Sequence, residues 1–241
     1  MTISLPRALD QLETTYGAPK SSSWRDPWLW VLWENVAYLA SDERRAQAFQ
    51  LLKKTVGTAA DRVAAASDDK LREVGRYGIM PDQSITKMRR CAEIALAEFD
   101  GNLRLILKWP AAKAKKSLQK FPGIGAPGAE TILLLCHTVP VLGLDSNALR
   151  VLLRLGFGEE KKSYAASYRL AQQAAQAELD ADCDSLIRAH HLLRMHGREC
   201  CKRNEPLCET CCVGRIRISS LVGGRDSIAY ATGASPNQEP P

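Results

Sequence analysis

The sequence predicts an all-α protein built from two helical domains. Three observations lead there. Strand patterning is almost absent, and apolar residues recur at helical spacing along nearly the whole chain. Gly, Pro and Asp interrupt that spacing at short intervals, so the helices are short. The periodic segments are 28–55, 58–75, 84–99, 102–108, 111–120, 128–137, 146–156, 164–178 and 183–196, which gives nine to eleven helices. The 241 residues suffice for one large or two small domains. A 45% hydrophobic and 25% charged composition is that of a soluble globular protein. The net charge of +6 suits a polyanionic partner without requiring one.

The opening segment, MTISLPRALDQLETTYG, has no continuous apolar core behind a basic end, so no secretory signal is expected. The apolar stretch TILLLCHTVPVLGL is broken by His137 and Pro140 and is too short to span a bilayer. A cytoplasmic protein with no membrane partner is therefore the expectation. Thiols stay reduced there, so the eight cysteines need a reason other than disulfides. Cys91, Cys136 and Cys183 stand singly in apolar or helical stretches and read as buried small hydrophobes. The other five, Cys200, Cys201, Cys208, Cys211 and Cys212, lie together.

Along the chain, DPWLWVLWENVAYLASD (26–42) is an apolar helix carrying a polar pair, Glu34-Asn35. The pair either lines a pocket or forms a buried hydrogen-bonded link. Lys113, Lys115, Lys116 and Lys120 crowd the segment that precedes FPGIGAPGAETIL (121–133). That string fits a helix-hairpin-helix turn: an apolar residue, a Gly-x-Gly hairpin, then an amphipathic helix. Neither glycine carries a Cβ, so the backbone can approach a ligand closely. The free amides of the helix that follows make an anion site. Gly123, Ile124 and Gly125 would offer N–H groups to one DNA phosphate, with Ile124 tucked inward. Lys120 and its neighbours would add attraction to the backbone; the competing reading is an ordinary turn beside a solvated lysine face. Pro127 suits the first turn of the second helix, where a missing N–H costs little. About twenty residues on, GLDSNALRV sets Asp145 before another apolar helix, a good N-cap. The polar, Pro-rich stretch 222–241 reads as a disordered tail.

FPGIGAPGAETIL followed by GLDSNALRV resembles the hairpin and aspartate segment of the endonuclease III superfamily of DNA glycosylases. HHLLRMHGRECC (190–201) is similar to the helix leading into that family's iron–sulfur loop, and residues 26–42 to the opening helix of its six-helix barrel. The resemblance spans roughly residues 26–212. It implies a barrel domain over 28–135 ending in the hairpin, and a second domain from 1–27 and 136–221 carrying the cysteine loop. It also implies that Asp145 holds the position of the essential aspartate. Losing a base leaves positive charge on the sugar, which a carboxylate can stabilise while orienting a water.

The chain departs from the family at three places. Pro127 occupies the position of the lysine that attacks the sugar in bifunctional members, and proline has no amine to offer. Leu39 aligns with a polar residue that fills the gap left by the flipped base; leucine can still act as a wedge. Cys201, Cys208 and Cys211 reproduce three ligands of the family's 4Fe-4S loop, but Arg217 stands where the fourth should follow. Cys200 or Cys212 could replace it. Three readings stay open: a four-iron cluster with a displaced ligand, a zinc ion bound by these cysteines with a neighbour or His196, or a loop without metal. Arg198, Lys202, Arg203, Arg215 and Arg217 make it a DNA-facing loop in each case.

The expectation is thus a monomeric DNA base-excision glycosylase acting on double-stranded DNA, with water as nucleophile and little lyase activity. The alternative is a non-catalytic DNA-binding protein that keeps the scaffold.

Overall fold

A computed structural model describes residues 3–20 and 22–214. The tail expected over 222–241, and Arg215 and Arg217, lie outside them. Among the described residues there are eleven α-helices, two short 3-10 turns and no strand. The helices are α1 (Leu5–Tyr16), α2 (Pro27–Asn35), α3 (Asp42–Thr55), α4 (Ala60–Ala65), α5 (Asp68–Gly75), α6 (Pro81–Phe99), α7 (Ala111–Leu118), α8 (Ala126–Leu135), α9 (Ser146–Leu155), α10 (Tyr164–Gln176) and α11 (Cys183–Glu199). The all-α class read from the sequence is the class observed. None of these helices is long and apolar enough to cross a membrane.

The helices fall into two packed groups. In the first, α4 and α5 lie on α6, α3 on α5, and α2 on α6 and α8. In the second, α1 and α9 lie on α11, and α10 on α9. The hairpin helix α8 touches both, through α7 and α2 on one side and α11 on the other. One continuous apolar cluster runs through all of it, from Leu5 and Leu9 of α1 to Leu192 and Leu193 of α11.

Three elements differ from the sequence expectation. Segment 28–55 is two helices, because Leu39 adopts a left-handed φ of 52° and Ser41 then caps α3 by accepting from Arg44 N at 3.3 Å. Segment 58–75 is also two, broken where Ala66 turns extended ahead of α5. Helix α1 lies outside the segments expected to be helical. Its buried Leu5, Ala8, Leu9 and Leu12 follow helical spacing, and a proline begins it.

Candidate active site

The hairpin joins α7 to α8. Phe121 and Ile124 are its buried anchors, with 2% and 4% of their surface exposed. Gly123 takes a φ of +78°, which L side chains rarely adopt, and a Cβ there would lie 3.0 Å from Asn35 Oδ1. Asn35 is buried, and its Nδ2 donates to Val31 O and Pro122 O, both at 2.9 Å. It therefore ties α2 to the hairpin, which is the buried-link reading of the Glu34-Asn35 pair.

One expectation needs correction. Ile124 N–H is not free for a phosphate, because it donates to Phe121 O at 3.1 Å within the turn. Gly123 and Gly125 keep their amides outside the turn's own hydrogen bonds, and no side chain caps α8. The lysine cluster also has its own partners. Lys120 pairs with Glu98 and Lys115 with Glu130, while Lys113 Nζ sits 4.1 Å over the Trp109 ring. Pro127 stands in the first turn of α8.

Asp145 caps α9: its Oδ1 accepts from Asn147 N at 2.9 Å and Ala148 N at 2.8 Å. Its Oδ2 faces Arg194 Nε at 3.1 Å and accepts from Asn147 Nδ2 at 3.2 Å. The segment leading to it is anchored by tertiary hydrogen bonds. Gln176 Oε1 accepts from Leu142 N at 2.9 Å, Gln172 Nε2 donates to Leu142 O at 2.8 Å, and Tyr168 Oη accepts from Leu144 N at 3.3 Å. His190 Nδ1–H donates to Gly143 O at 2.7 Å, and burial lowers the pKa of this histidine. Gly143 lies flush on α8: a Cβ there would stand 2.6 Å from Thr131 Cα. That contact fixes the distance between the hairpin helix and Asp145.

Asp145 belongs to a chain of alternating charges that joins the two helix groups. Arg194 of α11 bridges Asp145 and Asp42, donating to Asp42 Oδ1 at 2.8 Å, and Arg198 also pairs with Asp42. Burial raises the Asp42 carboxyl's pKa, but the hydrogen bond and charge of Arg194, then Arg198 and Arg45, outweigh it and hold the group below its ordinary value. Burial also works against the Arg194 cation, yet Asp42, Asp145 and Glu34 hold its pKa above the ordinary one.

Glu34, the last-turn residue of α2, behaves oppositely. Burial pushes its carboxyl up, Arg45 and Arg194 pull it down, and Asp42 and Asp145 add to the rise; the net shift is upward. Arg45 Nη1 is 3.5 Å away, yet 43% of the Glu34 side chain remains exposed. The charge of Arg194, which pairs with Asp145, also acts on Glu34.

Leu39 is 65% exposed, as a wedge requires, and it has company. Ile79 (65%) and Met80 (41%) project beside it, held by Ile79 N–H donating to Tyr38 O at 3.1 Å. Sequence reading missed these two; the signal was an apolar pair, Ile79-Met80, in a Gly-Pro turn between helices.

The cysteine loop follows α11. Two arginines of α9 clasp it: Arg150 donates to Gly197 O at 2.7 Å and Cys201 O at 2.9 Å, and Arg154 to Lys202 O at 2.7 Å. A cavity of about 450 Å³ lined by Asn147, Arg150, Arg198, Lys202 and Arg203 opens here beside Asp145's helix. Among the described residues, the metal-ligating groups that converge are His196, Cys200 and Cys211. Cys201 and Cys208 lie outside that trio. Cys201 Sγ faces Arg154 Nη1 at 3.4 Å, and Cys208 is exposed. Cys212 is half-buried next to Cys211.

The hairpin, the capped aspartate and the two helix groups define a helix-hairpin-helix fold of the endonuclease III kind. The described fold matches the solved structure of an endonuclease III–DNA covalent intermediate with a TM-score of 0.67 and 18% identity, covering 86% of this chain and 91% of that one. The sequence is 27% identical to endonuclease III of Sulfolobus acidocaldarius over 176 residues, which is 72% of this chain and 74% of the relative. It is 31% identical to endonuclease III of Rickettsia conorii over 96 residues, spanning 42% of that relative. No protein-family profile matches the chain. The protein is endonuclease III-like in sequence and in fold.

Proposed function

We propose that the protein is a DNA base-excision glycosylase that removes a damaged or mispaired base from double-stranded DNA by hydrolysis. The single observation that carries this reading is the pair of carboxyls around Arg194. Asp145 is held by its helix-cap donors and Arg194 at the start of α9, while burial shifts the pKa of Glu34, on which the charge of Arg194 also acts, upward. A carboxylate fixed by donors, beside a carboxyl whose proton affinity is raised by burial, is what acid-assisted departure of a base needs.

On this reading the Gly123 and Gly125 amides and the first turn of α8 hold one backbone phosphate. Leu39, Ile79 and Met80 fill the stack where the target nucleotide has swung out. The glycosidic bond breaks with its electrons going to the base, which takes the Glu34 proton. Asp145 stabilises the positive sugar without moving, because its oxygens are oriented beforehand by four donors. Water then adds to the sugar carbon, its proton is released, and Glu34 is reprotonated. The relatives are named endonuclease III, and one solved neighbour is trapped covalently on DNA. This chain has Pro127 where the resemblance expects an amine, and Lys115 and Lys120 are engaged by Glu130 and Glu98. The product is therefore an abasic site and not a nicked strand. The two helix groups act as domains, 28–135 and 1–27 with 136–221, of which residues 1, 2, 21 and 215–221 lie outside the described residues, and DNA lies across the seam between them.

The test is a panel of duplexes carrying uracil, mismatched thymine, oxidised pyrimidines, oxidised guanine or mispaired adenine, read with and without alkali beside Asp145→Asn. Breaks that need alkali and vanish in the variant support the reading. Breaks without alkali overturn the assignment of water as nucleophile. Tight DNA binding with no product across the panel favours a non-catalytic binder.

A further inference from the structure

The resemblance to endonuclease III implies a four-iron cubane held by four thiolates, and this chain does not fit it. The fourth position is Arg217. Of the other three, Cys201 has its sulfur against Arg154 at 3.4 Å and Cys208 is turned to solvent, so only Cys211 faces inward toward other ligands. What faces Cys211 is not an iron corner's worth of space but an imidazole and a thiol at close range.

We propose that the chain holds a single thiophilic divalent ion of the zinc type between His196 Nε2, Cys200 Sγ and Cys211 Sγ. The three ligand atoms all lie within 4.8 Å of one another. His196 Nε2 and Cys211 Sγ are already 3.4 Å apart. Bond lengths of about 2.3 Å to sulfur and about 2.1 Å to nitrogen put tetrahedral ligands roughly 3.5–4 Å from each other. The trio therefore needs a contraction of about 1 Å at most to close on one ion. Thiolates of a cubane each stand beyond a separate iron, so the same trio would have to spread apart.

The surroundings suit the ion. His196 is buried, and its other nitrogen, Nδ1, lies 2.9 Å from the Tyr16 hydroxyl of α1. A ligating histidine commonly gives its second N–H to such a partner, which fixes the ring and leaves Nε2 as the electron-pair donor. Cys200 Sγ is at present held to Leu207 O at 3.3 Å and its thiol is buried. On binding, each of the two thiols releases its proton to solvent and its sulfur takes the metal. Gly214 is needed close by, since a Cβ there would stand 3.0 Å from Cys211 Sγ. The fourth corner is left for a further thiolate or a water. The ion would lock three distant pieces together: the end of α11, the loop after it and, through Tyr16, helix α1. This inference stands apart from the glycosylase reading.

The experiment uses the full chain, made apo under reducing, oxygen-free conditions and titrated with cobalt(II), then with zinc as competitor. One equivalent of cobalt with the intense visible bands of tetrahedral thiolate ligation, displaced by one zinc, is expected. Cys200→Ser and Cys211→Ser should lose those bands. Cys201→Ser and Cys208→Ser, changes at sites not in the trio, should keep them. Tyr16→Phe should weaken affinity by about 10- to 100-fold with the bands unchanged. Four irons and four sulfides per chain, lost in Cys201→Ser and Cys208→Ser, overturn the proposal. So does a wild-type chain that binds neither cobalt nor zinc, a result that does not depend on any variant folding.

Discussion

Substituting Gly143 by Ala adds one methyl group at the contact that spaces the hairpin from Asp145. The new Cβ would lie 2.6 Å from Thr131 Cα and 2.7 Å from Thr131 N. Carbon atoms in contact settle at about 3.5–4.0 Å, so α8 and the Asp145 segment must part by about 1 Å. The Thr131 hydroxyl, which the methyl group also meets, can rotate away, but no rotamer moves the two backbone atoms. The segment cannot slide away freely either, since His190, Gln172, Gln176 and Tyr168 hold residues 142–144 by hydrogen bonds. Overpacking of this kind costs about 1–3 kcal/mol of stability. The larger effect falls on chemistry. A catalytic group displaced by about 1 Å loses on the order of 100-fold in rate. Single-turnover base excision, measured on whichever lesion the panel identifies, should drop by that order while the protein stays folded at assay temperature. Thermal unfolding of the same sample separates the two effects. A Gly143→Ala protein with unchanged Tm and wild-type excision rate would refute the claim that this contact sets the position of Asp145.

Glu34→Gln should lower excision by about 100- to 10,000-fold, the range for a lost general acid. In the wild type, the rate should fall as pH rises through the Glu34 pKa, at a pH above the ordinary carboxylate value of 4.5, and the variant should lack that limb; a pH–rate profile unaltered by the substitution removes Glu34 from the mechanism. Pro127→Lys supplies an amine in the first turn of α8, and borohydride should then trap a covalent protein–DNA adduct that the wild type does not form. Burial, with the charges of His190 and Arg194, depresses His191 from 6.5 to about 4. The folded state thus resists a proton that the unfolded chain accepts, so stability is intact above pH 6.5 and is lost as pH falls toward 4. Urea unfolding should show about 2 kcal/mol less stability at pH 5 than at pH 7 from this group, and equal stability at the two pH values would contradict the burial argument.

The elements of this site differ in how far the sequence discloses them, and the physical reason is distance along the chain. The hairpin is local: an apolar anchor, Gly123 and the helix start fall within a dozen residues, so their spacing is readable. Asp145 is equally local as a cap, since its partners are Asn147 and Ala148. Arg194 is not. It meets Asp42 from 152 residues away, and nothing in the pattern of α11 marks it apart from other surface arginines. Glu34 and Asn35 looked like one polar pair, but helical geometry points adjacent residues to different faces, so Asn35 turns to the hairpin and Glu34 to the cleft. The cysteine spacing directed attention to Cys201 and Cys208. The convergence of His196, Cys200 and Cys211 depends on how the loop folds back on α11, where Leu207 N–H donates to Cys200 O at 3.0 Å, and spacing cannot encode that reversal. Similarly, Ile79 joins Leu39 only because Gly78 lets the chain lie against Tyr38, where a Cβ would stand 2.6 Å from the Tyr38 nitrogen.

On the proposed function Glu34, Asp42 and Asp145 create a difficulty, because carboxylates repel phosphates and the repulsion grows where water is scarce. The three arginines answer it unequally, and that inequality is informative. Asp42 receives two guanidinium groups, Arg194 and Arg198, and stays below its ordinary pKa. Asp145 shares Arg194 through its Nε edge. Glu34 pairs with Arg45 at 3.5 Å, whose guanidinium also lies 5.8 Å from the centre of the Trp33 ring, and Arg194 acts on it through charge alone. The least compensated carboxyl is therefore the one whose pKa rises. A scaffold that only gripped backbone would gain by replacing all three with neutral residues. Under the proposed function, three carboxyls of graded compensation have a physical rationale beside a cationic sugar and none in phosphate binding.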